Sequence, residues 1–164
     1  MIKAILACDE NGGVSRDGTL PWPHNSTDLK WFKDNTAGHV VVMGSTTWED
    51  PGMPRPLPRR TNVLATSRPA DYPGADHYIS GDLNKSVKLI AEDFPSLITW
   101  VIGGPSIIEQ TLDVIDEFYI SRIPGEYECD TFLPLDAIED KFTLIWQEDH
   151  PDVLFQIWRK RNNV

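Results

Sequence analysis

The sequence predicts an α/β fold: a single domain over residues 1–164, with a mostly parallel central sheet, an antiparallel C-terminal edge and flanking helices. Three observations carry that expectation. Short apolar runs alternate with helix-spaced segments through much of the chain, the pattern of parallel strands joined by crossovers. Two of the runs, Val41-Val42-Met43-Gly44 and Val101-Ile102-Gly103-Gly104, end in glycine turns that open helices. Beyond residue 117 the segments 117–123, 142–148 and 153–159 read as strands and helix signals are absent, which places antiparallel strands at one edge.

Each element follows from its residues. Residues 2–8 form an apolar run closed by Asp9-Glu10-Asn11-Gly12-Gly13, a strand followed by a turn. Residues 14–25 hold Gly18, Pro21 and Pro23 and read as a long irregular loop, a feature usually tied to function. Asn25 or Ser26 caps a helix through Asp28, Leu29, Trp31, Phe32 and Asn35, with Leu29 and Phe32 marking its apolar face. The continuous run 39–43 is a buried strand, and Gly44 leads into a short helix near Thr47 and Trp48. The proline-rich stretch 51–60 is irregular, and strands follow at 62–66 and 77–79. Val87, Ile90, Ala91 and Phe94 recur at helical spacing within 83–94. A strand at 98–102 passes through Gly103-Gly104-Pro105 into a helix with Ile107, Ile108, Gln110 and Thr111.

Bulk properties narrow the function. The chain has 164 residues, enough to bury roughly 70% of its unfolded surface without staples. Its formal charge of −10 opposes a nucleic-acid partner, and any anionic ligand needs a local site that overcomes the global field. Two cysteines, Cys8 and Cys129, make no disulfide framework and suit a reducing cytoplasm, with Cys8 a small core residue. The N-terminal apolar run is too short for a signal peptide and no stretch is long enough to span a bilayer, so no membrane partner is expected.

The two strand–glycine–helix junctions put backbone N–H groups and helix N-termini at one sheet edge, a cradle for dinucleotide phosphates. No G-x-G-x-x-G, P-loop or G-x-S-x-G pattern occurs, and the four histidines show no metal-ligand spacing. Asp28 has two readings. It is either a first-turn acid that favours the helix dipole, or a lone carboxylate facing an apolar pocket, where burial raises its pKa and suits it to hold or protonate a ligand.

Leu20-Pro21-Trp22, Asp28-Leu29, Phe32 and Thr36 resemble the signature of the dihydrofolate reductase family. Met43-Gly44 with Thr47-Trp48-Glu49, the block from Arg55 to Asn62, Val101-Ile102-Gly103-Gly104 and Asp130-Thr131-Phe132-Leu133-Pro134 are similar to that family in order and spacing, across essentially the whole chain. The resemblance implies a dihydrofolate reductase-like fold and an NADPH-dependent oxidoreductase of one-carbon metabolism and thymidylate synthesis, a target for antifolates. It further implies reduction of dihydrofolate to tetrahydrofolate by a cytoplasmic monomer with no metal. It implies that Asp28 binds the pterin and promotes its protonation, that Ser121 anchors Asp28, and that Trp22 holds a water beside it. Ile5 and Ile102 offer carbonyls to the pterin, Leu29, Phe32 and Leu57 form its walls, and Arg60 pairs with the glutamate tail. The cofactor is assigned to Ala7, Val14, Leu20, Gly44, Ser45, Thr46, Thr47, Ser67, Arg68, Gly103, Gly104, Ser106 and Ile107, with a cis Gly103–Gly104 bond and a closing loop at 11–20.

Three positions depart from the family pattern. Ser45 stands where Arg or Lys is usual, Ile108 where tyrosine is frequent, and Met53-Pro54 are extra residues in the proline-rich loop. Two alternatives remain open at this point. One is a related reductase acting on a ribosylaminopyrimidine of riboflavin synthesis; the other is a non-catalytic descendant kept for nucleotide binding or assembly.

Overall fold

The computed structural model describes residues 1–161. The chain runs β1 (Ile2–Cys8), β2 (Gly13–Ser15), α1 (Ser26–Thr36), β3 (Val40–Gly44), α2 (Ser45–Trp48), β4 (Thr61–Ala65), β5 (His77–Ile79), α3 (Leu83–Asp93), β6 (Thr99–Gly103), α4 (Pro105–Thr111), β7 (Glu117–Arg122), β8 (Thr131–Phe132), α5 (Leu135–Lys141), β9 (Phe142–His150) and β10 (Val153–Lys160). Eight strands form one sheet in the order β5-β4-β3-β6-β1-β7-β10-β9, and β2 pairs with β8 in a separate ribbon. Neighbouring strands from β5 to β7 are parallel, and β10 joins β7 antiparallel and carries β9 on its outer side. The antiparallel C-terminal edge is therefore as the sequence predicts.

The period-2 alternation of the central strands sorts side chains into two layers. Val40, Val42, Ala4 and Val101 point into one cluster with Val87, Ile90 and Ile108 of the helices on that face. Val41, Met43, Ile5, Trp100 and Ile102 point into the other, against Trp31 and Phe32 of α1 and Trp48 of α2. Coverage on both faces explains why β3 is apolar throughout, β6 is apolar after Thr99, and both are fully buried.

Three expectations are corrected. Residues 135–141 are helical, although the sequence after residue 117 shows no helix signal. The helix has seven residues and only Ile138 is fully buried, so no periodicity emerges; it stands on the end charges Asp136 and Lys141 and on tertiary contact. Residues 13–15 are a strand within the expected irregular loop, because the distant residues 131–132 supply its partner. Leu29, expected with Phe32 on the packed face of α1, is 46% exposed; Phe32 packs against the sheet as expected, joined by Trp31, and Thr36 is buried. Of the two candidate caps, Asn25 is the one used, its side chain accepting a 2.9 Å hydrogen bond from Asp28 N.

β9 lies at the sheet edge, with Leu144, Ile145 and Trp146 exposed and a register irregularity opposite Ile157 and Trp158. No helix among the described residues is long and apolar enough to cross a membrane.

Candidate active site

A cavity of about 480 Å³ opens beside the C-terminal ends of β1, β3, β6 and β7, where ligands of open parallel sheets bind. Ile5, Ala7 and Ile102 come from the strands, Asp28, Leu29 and Phe32 from α1, and Val14 and Leu20 from the β2 region and its loop. Gly44, Ser45, Thr46 and Thr47 line it at the β3–α2 junction, and Gly104, Ser106 and Ile107 at the β6–α4 junction. Ser121 of β7 completes the set drawn from the sequence. Asp50, Thr131, Leu6 and Ser15 also line it without having been singled out; Met53, noted only as an extra loop residue, lines it too. Thr131 reaches the cavity because β8 pairs with β2, a contact that no local pattern reveals.

Six expected residues lie outside the lining. Leu57 is buried in the cluster behind Phe32, and Trp22 is buried against Ile123, Val153 and Phe155. Gly103 takes positive φ beneath Leu6, and its bond to Gly104 is cis. Arg60 sits behind α1, donating to Thr36 Oγ1 and to the Pro58 carbonyl, each at 3.0 Å, with its guanidinium 5.8 Å from the Phe32 ring centroid. Ser67 and Arg68 also lie beyond the cavity, and Arg68 Nε is 3.5 Å from Asp71 in an exposed ion pair. Ile108, which stands where tyrosine is frequent in the family, is fully buried in the main core. A second hollow of about 460 Å³, bounded by Trp48, Arg55 and Tyr72, contains none of the expected site residues.

Asp28 is a first-turn acid of α1 and also lines the largely apolar cavity, so both features read from the sequence are present. Its carboxyl is pushed above the ordinary carboxylate range, mainly by burial; the Ser121 hydroxyl tempers the rise and the Asp152 carboxylate adds to it. Ser121 Oγ is itself buried and completes no hydrogen bond among the described residues. A buried hydroxyl without a partner is costly, so the pocket holds donor capacity beside Asp28 that a ligand or a small side-chain rotation can use.

The residues at the two glycine junctions fit a dinucleotide. Neither α2 nor α4 has a side-chain cap; Pro105 carries no N–H and Ile107 N donates to the Gly104 carbonyl, so the N–H groups of the α2 first turn and of Ser106 are the donors left beside the hydroxyls of Ser45, Thr46, Thr47 and Ser106. A Cβ on Gly44 would come within 2.9 Å of Ile107 Cγ1, whereas one on Gly104 would meet nothing within 4 Å. Glycine at position 44 is thus what allows the two junctions to approach. No Lys or Arg side chain lines the cavity, whose charged members are Asp28 and Asp50, so the polar donors within it are neutral. Among the described residues, no group of three or more His, Cys, Asp or Glu side chains is placed to hold a metal ion. Cys8 is fully buried, with its thiol pushed up to about 12, chiefly by burial, and is not a nucleophile at neutral pH.

Comparison with known proteins agrees with this geometry. The family model described as dihydrofolate reductase matches residues 1–157. A dihydrofolate reductase of Haemophilus influenzae is 35% identical over 130 residues, covering 79% of this chain and 76% of that protein. The dihydrofolate reductase of Rattus norvegicus is 29% identical over 175 residues, covering 98% and 91%. A solved dihydrofolate reductase from Enterococcus faecalis, complexed with NADP(H) and RAB-propyl, superimposes with a TM-score of 0.82 at 27% identity, covering 99% of this chain and 97% of the other. A match of that extent, on a fold whose strand ends meet around a cavity holding the half-buried Asp28 carboxylate, means that the chain belongs to the dihydrofolate reductase family.

Proposed function

We infer that this protein reduces dihydrofolate to tetrahydrofolate with NADPH as the reductant. The observation that carries the reading is Asp28, a carboxylate raised by burial in the same cavity as the two glycine junctions. When bound, NADPH would supply a hydride to carbon 6 of the pterin, and a proton at nitrogen 5 completes the reduction of the C=N double bond to a single bond.

The chain's residues supply orientation and the proton. The Asp28 carboxylate accepts paired hydrogen bonds from a ring N–H and the exocyclic amine of the pterin, and its raised proton affinity lets it feed a solvent relay toward nitrogen 5. Ser121 turns its free hydroxyl to Asp28 and keeps the carboxylate in register. Trp22, buried at the base of α1, steadies the relay water from behind. The carbonyls of Ile5 and Ile102 accept from the pterin amino edge. Phe32 and Leu29 flank the ring, and Leu57 supports Phe32 from the core.

Arg60 meets the α-carboxylate of the glutamate tail, held ready by Thr36 and Phe32. The hydroxyls of Ser45, Thr46, Thr47 and Ser106 and the first-turn N–H groups take the cofactor phosphates, with Ser67 and Arg68 meeting the distinguishing phosphate of NADPH. Gly103, Gly104 and Ile107 support the nicotinamide end, and Ala7, Val14 and Leu20 close over it and exclude water.

The reading extends to a cytoplasmic monomer without nucleic-acid or membrane partners, supported by the charge of −10 and by two unpaired cysteines. The test is the fall in NADPH absorbance on adding dihydrofolate. No oxidation by the parent protein, with Asp28→Asn indistinguishable from it, would overturn the assignment. Oxidation by a ribosylaminopyrimidine in preference to dihydrofolate would point to the riboflavin alternative.

A further inference from the structure

Asp9 lies outside the cavity and takes no part in the chemistry above, yet it is the least exposed carboxylate among the described residues, at 1%. A buried carboxylate normally pairs with a cation. Asp9 has no salt-bridge partner among the described residues; neutral donors satisfy it instead. Oδ1 accepts from Asn11 N at 2.9 Å and Gly13 N at 2.8 Å. Oδ2 accepts from Tyr127 N at 3.1 Å and from Cys129 Sγ at 3.5 Å. The two oxygens therefore hold different parts of the chain, one the turn into β2 and the other the segment between β7 and β8.

Both held segments lead to the site. The turn continues into Val14, Ser15, Gly18 and Leu20, which line the cavity. Tyr127 packs edge-on against Trp22 with ring centroids 6.1 Å apart, and Trp22 precedes the helix that carries Asp28. The junction has no slack: a Cβ on Gly13 would come within 2.4 Å of Cys129 Cβ and 3.0 Å of Asp9 Oδ1. Burial alone would disfavour the Asp9 charge, but the N–H groups of Gly13, Tyr127 and Asn11 and the Cys129 thiol outweigh it and hold the carboxyl below its ordinary range.

We propose that Asp9 is a positioning residue: by gripping Asn11 and Gly13 with one oxygen and Tyr127 and Cys129 with the other, it sets where Tyr127 presses on Trp22 and where the loop after β2 lies over the pterin. The inference rests on the reductase reading and deepens it. Asparagine at position 9 keeps a carbonyl for the two shorter bonds of the turn. Its amide nitrogen then faces the Tyr127 N–H and the Cys129 thiol, donor against donor, so the tie between the segments is lost while the local turn survives.

Asp9→Asn in the full chain separates this role from a contribution to folding alone. The single-turnover rate of NADPH oxidation should fall about tenfold or more, because misplacing a positioning group weakens the aligned geometry. The dissociation constant for dihydrofolate should stay within about twofold, since Asp28, Ile5, Ile102 and Phe32, which hold the pterin, lie on elements that Asp9 does not grip. In ligand-free protein carrying fluorotryptophan, the Trp22 fluorine resonance, assigned by its disappearance in Trp22→Phe, should shift. A parental rate or an unmoved Trp22 resonance overturns the proposal, whatever the melting temperature.

Tyr127→Ala keeps the backbone donor but removes the ring. It should slow the same step, and the Asp9→Asn, Tyr127→Ala double variant should be no slower than the worse single variant. If Asp9→Asn does not fold, a parental rate in Tyr127→Ala is the overturning result. Failure of the parent to oxidise NADPH with dihydrofolate would sink the reductase reading, while the Trp22 resonance still decides whether Asp9 controls that indole.

Discussion

The Ser121 hydroxyl on β7 lies beside the Asp28 carboxyl on α1, buried and without a completed hydrogen bond. Asp28 thus has a donor within reach and a raised proton affinity, the combination expected of a group that changes its protonation during turnover. Asp28→Asn should reduce dihydrofolate turnover at neutral pH by at least about a hundredfold and leave NADPH binding nearly unchanged. Activity should partly recover at low pH, where solvent protonates the substrate. A pH–rate profile at matched cofactor saturation checks this, and near-parental turnover at neutral pH would remove Asp28 from the mechanism.

The same residue makes a stability prediction of opposite sign. Its carboxyl binds a proton more tightly in the folded chain than in the unfolded one, mainly because of burial. Its contribution to stability is therefore complete below the unfolded pKa and is lost as pH rises through the folded one. At neutral pH the ionised Asp28 works against folding, so Asp28→Asn should melt higher than the parent. The gap should close as the pH falls below the ordinary carboxylate range. Thermal melts across pH provide the measurement; a variant that melts lower at neutral pH would contradict the sign.

Arg60 is anchored but has no carboxylate partner among the described residues. Removing it as Arg60→Ala should weaken dihydrofolate by a few kcal/mol, about the worth of a charge-assisted contact. An antifolate lacking the glutamate tail should bind as before. Equal losses for both ligands, read by calorimetry, would mean that the contact with Thr36 and Phe32 serves only to seat α1.

Arg68 is held by Asp71, yet the pair is exposed, and such pairs contribute about 0–1 kcal/mol. A phosphate contact worth roughly 1.5–3 kcal/mol outcompetes it. Arg68→Ala should lower the NADPH-to-NADH preference about tenfold or more, while Asp71→Ala should raise it slightly. An unchanged ratio in Arg68→Ala would assign the discrimination to the hydroxyls at the α2 and α4 junctions.

What the sequence reveals depends on the range over which each signal acts. β3 and β6 are legible because burial on both faces leaves an apolar run, Val40 to Met43 and Trp100 to Ile102, that ends in glycine. The Asn25 cap and the neighbouring Asp28 are legible because a cap acts over three residues. α5 is not, since seven residues with one fully buried side chain have no period to show. The Asp9 tie is also hidden: Tyr127 lies 118 residues away, and its backbone N–H leaves no mark on residue type. Arg60 is legible as a cation, but its contact with Thr36 depends on how the irregular segment before β4 folds back on α1.

The outer strand β9 adds a colloidal consequence. Leu144 and Ile145 are exposed along an edge unpaired among the described residues, beside Trp146, which is 38% exposed while stacking on Trp31; another chain's backbone can dock there, and the irregularity near Ile145 blunts that edge only locally. At neutral pH the charge of −10 keeps copies apart. That repulsion vanishes near the isoelectric point of about 4.7, close to the acidic conditions in which the Asp28 variant should regain turnover. Self-association should therefore begin at β9 as the medium is acidified, and light scattering should show Trp146→Lys remaining dispersed at a pH where the parent clouds.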